Sequence, residues 1–227
     1  MIDVHPPHKA IGNTGEFFVH LFTITIGLLI AVGIEGCVGR YEHHELAKEA
    51  QQTMTAEIRK NASNMNDALK DIASEQKKNA DNVASVEKAQ LNPNDAAAQD
   101  MNIDVGYSAE GLQETAWKTA QATGALAYMP YKQSERYSDI YGAVETFLKD
   151  QDQLAEDEAQ FLGIIQEFHV GKGKPSPDGA NAMAKQLGIM QGHLLTMKLT
   201  ARFLQDEQTA FLEGKEPQHH LSERLQN

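Results

Sequence analysis

The sequence predicts an all-α protein: one N-terminal membrane-spanning helix followed by an antiparallel bundle of about four helices, the first of them long. Three observations carry this. Phe17 to Ile34 is an apolar run with no Asp, Glu, Lys or Arg. The remainder is rich in Ala, Glu, Lys and Gln, which are good helix formers. Apolar residues then recur at alternating steps of four and three, the spacing of a helix seam. Nowhere does a sustained period of two mark a strand.

Composition bounds the function. A formal net charge of -12 over 227 residues opposes a nucleic-acid surface, which needs basic patches to displace counterions from phosphate. It equally opposes a polybasic grip on anionic lipid, so attachment to the bilayer rests on apolar burial. The single Cys37 leaves no intramolecular disulfide and no cysteine-based zinc cluster.

Residues 1–16 form a short tail, with Pro6, Pro7, Gly12 and Gly15 breaking any regular element. His5 and His8 on this tail are not expected to hold a metal. The anchor is assigned to residues 17–36. Its eighteen-residue core, Phe17 to Ile34, gives roughly 27 Å of helix, close to the thickness of bilayer hydrocarbon. Ile34-Glu35-Gly36-Cys37 resembles a lipoprotein cleavage box, but Glu35 stands where a small or apolar residue belongs. Retention of the segment as an anchor is therefore expected.

Within the anchor, Thr23, Gly27 and Ala31 recur every four residues, and Glu35 continues the series. Each step turns a helix by about 400°, so the four form one drifting stripe, with His20 near it. Small residues let two helix backbones approach closely and polar ones find partners across the contact. The stripe is thus a candidate interface with other membrane helices, in a homo- or hetero-oligomer. His20 is ionisable but lies a turn from the edge, within reach of the interface. Basic residues on either flank of the span are few. Their distribution leans weakly to a tail inside and a periplasmic domain.

The long helix occupies residues 37–91. Ile58, Ala62, Met65, Leu69, Ile72, Gln76, Asn79, Val83, Val86 and Gln90 lie on one coiled-coil-like seam. Gln76 and Asn79 make its far end polar, a device that can set register. The helix is expected to run unbroken from the membrane. It stops at Asn92-Pro93-Asn94-Asp95, a turn cluster, and 92–107 reads as a loop.

The remaining bundle helices fall within 108–213. The second runs from a Ser108 N-cap to Met129 and carries the only tryptophan, Trp117. The third starts near Ser134. It presents two adjacent seams, Ile140, Val144, Phe147, Leu154, Phe161, Ile165 and Phe168 on one, Tyr137, Tyr141, Leu148 and Leu162 on the other. A doubled seam makes the wide apolar face of a central helix. Asp150, Asp152, Glu156, Asp157 and Glu158 are assigned to its solvated side. Gly171 to Gly179 is a connection: its Gly-Lys pairs lack the Ser or Thr and the preceding strand of a phosphate loop. The fourth helix carries Met183, Leu187, Met190, Leu194, Met197, Ala201, Leu204 and Phe211 on its seam, and Gly214 and Pro217 begin a tail over 214–227.

No catalytic or cofactor constellation emerges. Gly106-Tyr107-Ser108-Ala109-Glu110 fails as a serine-hydrolase elbow, ending in Glu rather than Gly and lacking a strand. Di-iron bundles need inward Glu-x-x-His pairs, whereas Glu167 and His169 are two apart. The pairs His43-His44 and His219-His220 splay on a helix, and His219 with Glu223 lies in the tail. Neither a metal nor an enzymatic activity is expected. Trp117, Tyr131, Tyr137 and Tyr141 are candidates for bundle packing or, failing that, for a ligand pocket.

Several pieces resemble a family of uncharacterised bacterial proteins with one N-terminal membrane helix and an α-helical domain. They are Phe17 to Ala31, Glu35-Gly36, His43-His44, Trp117, Thr123-Gly124-Ala125-Leu126 and Met129-Pro130-Tyr131. The resemblance implies a bacterial membrane location and a helical bundle, and brings no activity, cofactor or catalytic residue. The function expected is a non-catalytic accessory or assembly subunit of an inner-membrane complex. The alternative is a membrane-tethered sensory or ligand-binding bundle.

Overall fold

The structure, a computed structural model, describes residues 14–106, 111–168 and 176–216. These contain five α-helices and no strand. They are α1 (Thr14–Leu91), α2 (Ala96–Gln99), α3 (Thr115–Ala122), α4 (Tyr131–Glu167) and α5 (Pro177–Leu212), with a 3-10 turn at Ala125–Tyr128. By contacts the chain divides into Met1–Glu49 and Ala50–Asn227. The first unit contributes the apolar part of α1, and its side chains from Phe17 to Val38 are exposed.

In the second unit the core lies between α1, α4 and α5. Met54, Ile58, Met65, Ile72 and Val86 enter it from α1; Tyr137, Ile140, Tyr141, Val144, Phe147, Leu154 and Phe161 from α4. From α5 come Met183, Leu187, Leu194, Met197, Ala201 and Leu204. Polar cross-links record the register. Asn66, Gln76, Asn79 and Gln90 on α1 bond in turn to Gln205, Lys198, Gln191 and Asn181 on α5. Position numbers thus rise along α1 as they fall along α5.

The expected seam of α1 is half right. Ile58, Met65, Ile72, Asn79 and Val86 are buried, but Ala62, Leu69, Gln76 and Val83 are only half-buried and Gln90 is exposed. Their preceding neighbours Asn61, Ala68, Asn82 and Ala89 are buried instead. The physical reason is a third neighbour: the chain following α1 packs back along it. Asn61 exchanges two hydrogen bonds with the Gln113 backbone, at 2.7 and 2.8 Å. Asn82 does the same with Asp104, at 2.8 and 2.9 Å. Each amide presents one donor and one acceptor, as a neighbouring strand would, and satisfies a backbone that has no ladder of its own.

This also changes the loop expected over 92–107. Asp95 caps the short α2, its carboxylate accepting from the Ala97 N–H at 2.9 Å. Gln99 donates to the carbonyls of Ala89 and Asn92, and Met101 and Ile103 pack on the cluster around Val86, Phe161 and Met183.

The helix expected over 108–129 is shorter, and Ser108 lies outside the described residues. At its start, Gln113 is held by Asn61, so α3 begins at Thr115. At its end, Gly124 adopts φ +72°, the left-handed conformation that glycine accepts without strain, and the chain leaves α3 for the 3-10 turn. α4 begins at Tyr131, directly after Pro130 and three residues ahead of Ser134. On its second seam Tyr137 and Tyr141 are buried, whereas Leu162 is exposed. Asp157, expected on the solvated side, is buried at 2%. Ser176 caps α5, accepting from the Gly179 N–H at 3.1 Å, with Pro177 at its first position. Of the expected N-terminal tail, Thr14–Glu16 already belong to α1, so Gly15 does not break the helix there; positions 1–13, 107–110, 169–175 and 217–227 lie outside the described residues, and with them most of the two tails, His169, most of the Gly171–Gly179 connection, the His219-His220 pair and Glu223.

Candidate functional site

Two regions concentrate the residues singled out above. The first is the apolar N-terminal part of α1. An eighteen-residue window of α1 has mean hydropathy 2.4 and is wholly unburied, so this helix is long and apolar enough to cross a membrane. Thr23, Gly27, Ala31 and Glu35 share one face at steps of four, and His20 is exposed nearby. The Thr23 hydroxyl donates to the Val19 carbonyl at 2.8 Å, and Thr25 does likewise to Leu21. Thr23 therefore needs no partner from another helix to satisfy its hydrogen; it contributes a small, methyl-bearing surface. A Cβ added at Gly27 meets nothing within 4 Å. Just past the apolar stretch, Arg40 donates to the Gly36 carbonyl at 3.1 Å, and the Cys37 thiol is exposed.

The second region lies in the second unit, where α1, α3 and α4 meet. Trp117 is half-buried and stacks on Tyr141, with ring centroids 5.2 Å apart and planes 10° from parallel. The Tyr141 hydroxyl donates to Glu57 Oε1 at 2.8 Å, with the Met54 carbonyl at 3.3 Å. Burial, and next the bond to the Glu57 carboxylate, hold the Tyr141 phenol well above its ordinary range. Glu57 also accepts from the Ala116 N–H, at 3.1 and 3.0 Å to its two oxygens. Ala116 sits in the first turn of α3, whose own N-cap residue Glu114 makes no side-chain cap. Glu57 thus caps α3 from another helix and places a carboxylate at the positive end of the helix dipole.

Tyr137 belongs to the same region. Its hydroxyl lies 2.8 Å from Thr55 Oγ1 and 3.2 Å from the Gln51 carbonyl, and its ring packs against Phe211 at 5.2 Å. Tyr131 does not join it: at the first position of α4 its side chain is 82% exposed. Glu57 was not anticipated, because a lone Glu on a polar helix carries no sequence signal of the backbone that it meets.

An open groove runs beside Trp117, bordered by Gln121, Leu148 and Asp152. Lys149 and Glu145 on its rim pair with each other at 2.8 Å, and Lys118 pairs with Glu114. A further acid–base pair, unanticipated, joins α4 to α5. The buried Asp157 carboxylate meets His193 Nδ1, and Gln186 donates to the Asp157 carbonyl at 3.1 Å. The His193 side chain is 40% exposed. Among the described residues no group of three His, Cys, Asp or Glu side chains is arranged to hold a metal ion. These regions therefore offer packing, capping and an exposed apolar helix face. Compared with family models, curated proteins and solved structures, the chain has no match.

Proposed function

We propose that this chain is a non-catalytic accessory or assembly subunit of a bacterial inner-membrane protein complex. It docks through its transmembrane helix and its helical domain. The observation that carries the reading is the exposed apolar surface of α1 from Phe17 to Val38. A surface of this size on a water-soluble chain is a liability; in a bilayer it is an anchor, and its small-residue face admits a second helix. The helical domain is read as an antiparallel bundle, supported by the opposed numbering of the α1 and α5 partners. It is assigned to the periplasm, with one pass of the membrane.

The test replaces Gly27 and Ala31 with leucine. Within this chain a side chain at Gly27 meets nothing, and Gly to a larger residue in a helix is favourable by about 1 kcal/mol. The substitution is thus harmless unless another helix lies there. The expected result is loss of co-purifying membrane proteins and faster native-gel migration, with membrane insertion retained. Unchanged migration and co-purification would remove the stripe as an interface. Modification of Cys37 by a membrane-impermeant maleimide from the periplasmic side checks orientation. The alternative, a tethered sensory or ligand-binding domain, rests on the groove beside Trp117, whose rim charges already neutralise one another.

A further inference from the structure

We propose that the exposed turn at residues 127–131 is a lipid-facing tip of the helical domain, its Tyr128 and Tyr131 rings lodged in the headgroup region of a bilayer. The proposal rests on the reading of α1 as the membrane anchor. Residues 119–131 include no Asp, Glu, Lys or Arg, in a chain where 23% of residues are charged. Ala125 and Met129 turn inward and are buried, which leaves Ala127, Tyr128, Pro130 and Tyr131 on the outside. Tyr128 is 47% exposed and Tyr131 82%. Tyr131 is the first residue of α4, and helical side chains lean towards the N-terminus, so its ring projects past the start of the helix.

The place of the turn in the second unit names the occupant. Tyr137 meets Gln51 and Thr55, and Tyr141 meets Met54 and Glu57. Position numbers therefore rise together along α1 and α4. Tyr131, ahead of Tyr137, lies at the end of the unit where α1 enters it at Ala50. From Ala50 back to Val38, where the exposed apolar stretch ends, α1 runs only twelve positions, a tether of roughly 18 Å. Tyrosine suits the destination: its ring is apolar and its hydroxyl finds partners among headgroups and water, which is why it concentrates at membrane interfaces. The charges flanking the turn pair with one another, Lys132 with Glu216 and Lys215 with Glu213, each at 2.7 Å, while Arg136 lies over the Phe211 ring. With a net charge of -12 the chain has no general attraction to anionic lipid. The contact is thus made by aromatic rings and is insensitive to salt.

The test uses the full chain in phosphatidylcholine vesicles. Trp117→Phe removes the only tryptophan, and one new tryptophan is introduced at a time. Phe22→Trp reports the anchor and is quenched by a nitroxide on the lipid acyl chains when α1 spans. Tyr131→Trp is expected to lose emission to a nitroxide on the lipid headgroup, equally in high salt. Leu91→Trp, at the other end of α1 and 80% exposed in the wild type, is expected to stay unquenched. Quenching at Phe22→Trp but not at Tyr131→Trp overturns the tip and leaves the anchor standing. No quenching at Phe22→Trp removes the anchor reading, and the tip with it. Blue-shifted Tyr131→Trp emission without headgroup quenching means that a second copy covers the turn, and overturns the proposal. Equal quenching of Leu91→Trp, or quenching abolished by salt, does the same. Should Trp117→Phe fail to fold, a nitroxide attached at Tyr131→Cys in the Cys37→Ser chain decides. Shielding from a water-soluble nickel chelate supports the tip, and free access to it refutes it.

Discussion

Glu57 makes the sharpest energetic prediction. Its carboxylate is 9% exposed and meets two donors, the Ala116 N–H and the Tyr141 hydroxyl. In Glu57→Leu both lose their partner. Leaving a buried donor unmet costs about 1–3 kcal/mol. The Tyr141 hydroxyl can turn to the Met54 carbonyl at 3.3 Å, which recovers part of its share. Relief of the desolvated carboxylate offsets a further part. The expected net loss is about 2–3 kcal/mol. Glu57→Gln keeps one acceptor oxygen and should lose about 1 kcal/mol.

The assay is denaturant unfolding in mild detergent. Trp117, the only tryptophan, reports the α3 region by its emission, and circular dichroism reports the whole chain. Loss of the cap should disturb Trp117 before the global transition, because α3 has eight residues and no side-chain N-cap of its own. A double-mutant cycle with Tyr141→Phe should give a coupling of about 1–2 kcal/mol. If Glu57→Leu unfolds within about 0.5 kcal/mol of wild type, with Trp117 emission unchanged, Glu57 does not cap α3.

Other perturbations test separate features. Gln208 is fully buried with neither amide atom partnered among the described residues, so Gln208→Met should stabilise by about 1–2 kcal/mol; a loss in the melting assay would show that the amide is satisfied. Gly179→Ala would set a Cβ 2.8 Å from Phe168 Cβ and Cγ, and overpacking of that kind costs about 1–3 kcal/mol in unfolding measurements. His193→Ala leaves the buried Asp157 carboxylate only the long bond from Gln153, at 3.4 Å, and should lower the melting temperature more than the double change with Asp157→Leu, which removes the carboxylate as well. Asp150 has a folded-state pKa raised above 3.8, chiefly by burial. The native state therefore holds its proton more tightly than the unfolded one, and ionised Asp150 costs stability at neutral pH. That cost fades as pH falls through the raised value towards 3.8. Asp150→Asn should accordingly be the more stable chain at neutral pH and lose that advantage in acid; a constant difference across the titration would refute the assignment.

Much of the helical layout was legible in the residue order, because its signals are local. Gly214 lies just past the end of α5, and the four-three spacing from Met183 to Leu204 is buried throughout apart from the half-buried Met190, whereas the start of α5 at Pro177, capped by Ser176, falls inside the stretch expected as a connection. What escaped depends on which backbone meets which side chain. Asn61 and Asn82 belong to no seam legible in the sequence, yet they are buried because returning backbone needs a donor and an acceptor at those heights. Asp157 reads as a solvated carboxylate, and Glu57 stands out in no way from its polar surroundings. One is buried against His193, the other against the start of α3.

By itself the sequence determined an all-helical chain with one segment long and apolar enough to span a bilayer, since both follow from local propensity and the length of an apolar run. It also set out the Thr23, Gly27 and Ala31 stripe, which is a matter of helical periodicity alone. Only the tertiary structure decided which face of α1 is buried, where α3 begins and ends, and that Tyr137 and Tyr141 pack inward while Tyr131 does not. Those outcomes turn on hydrogen bonds between residues more than fifty positions apart. The energies of such bonds are set by burial, and burial belongs to the assembled fold.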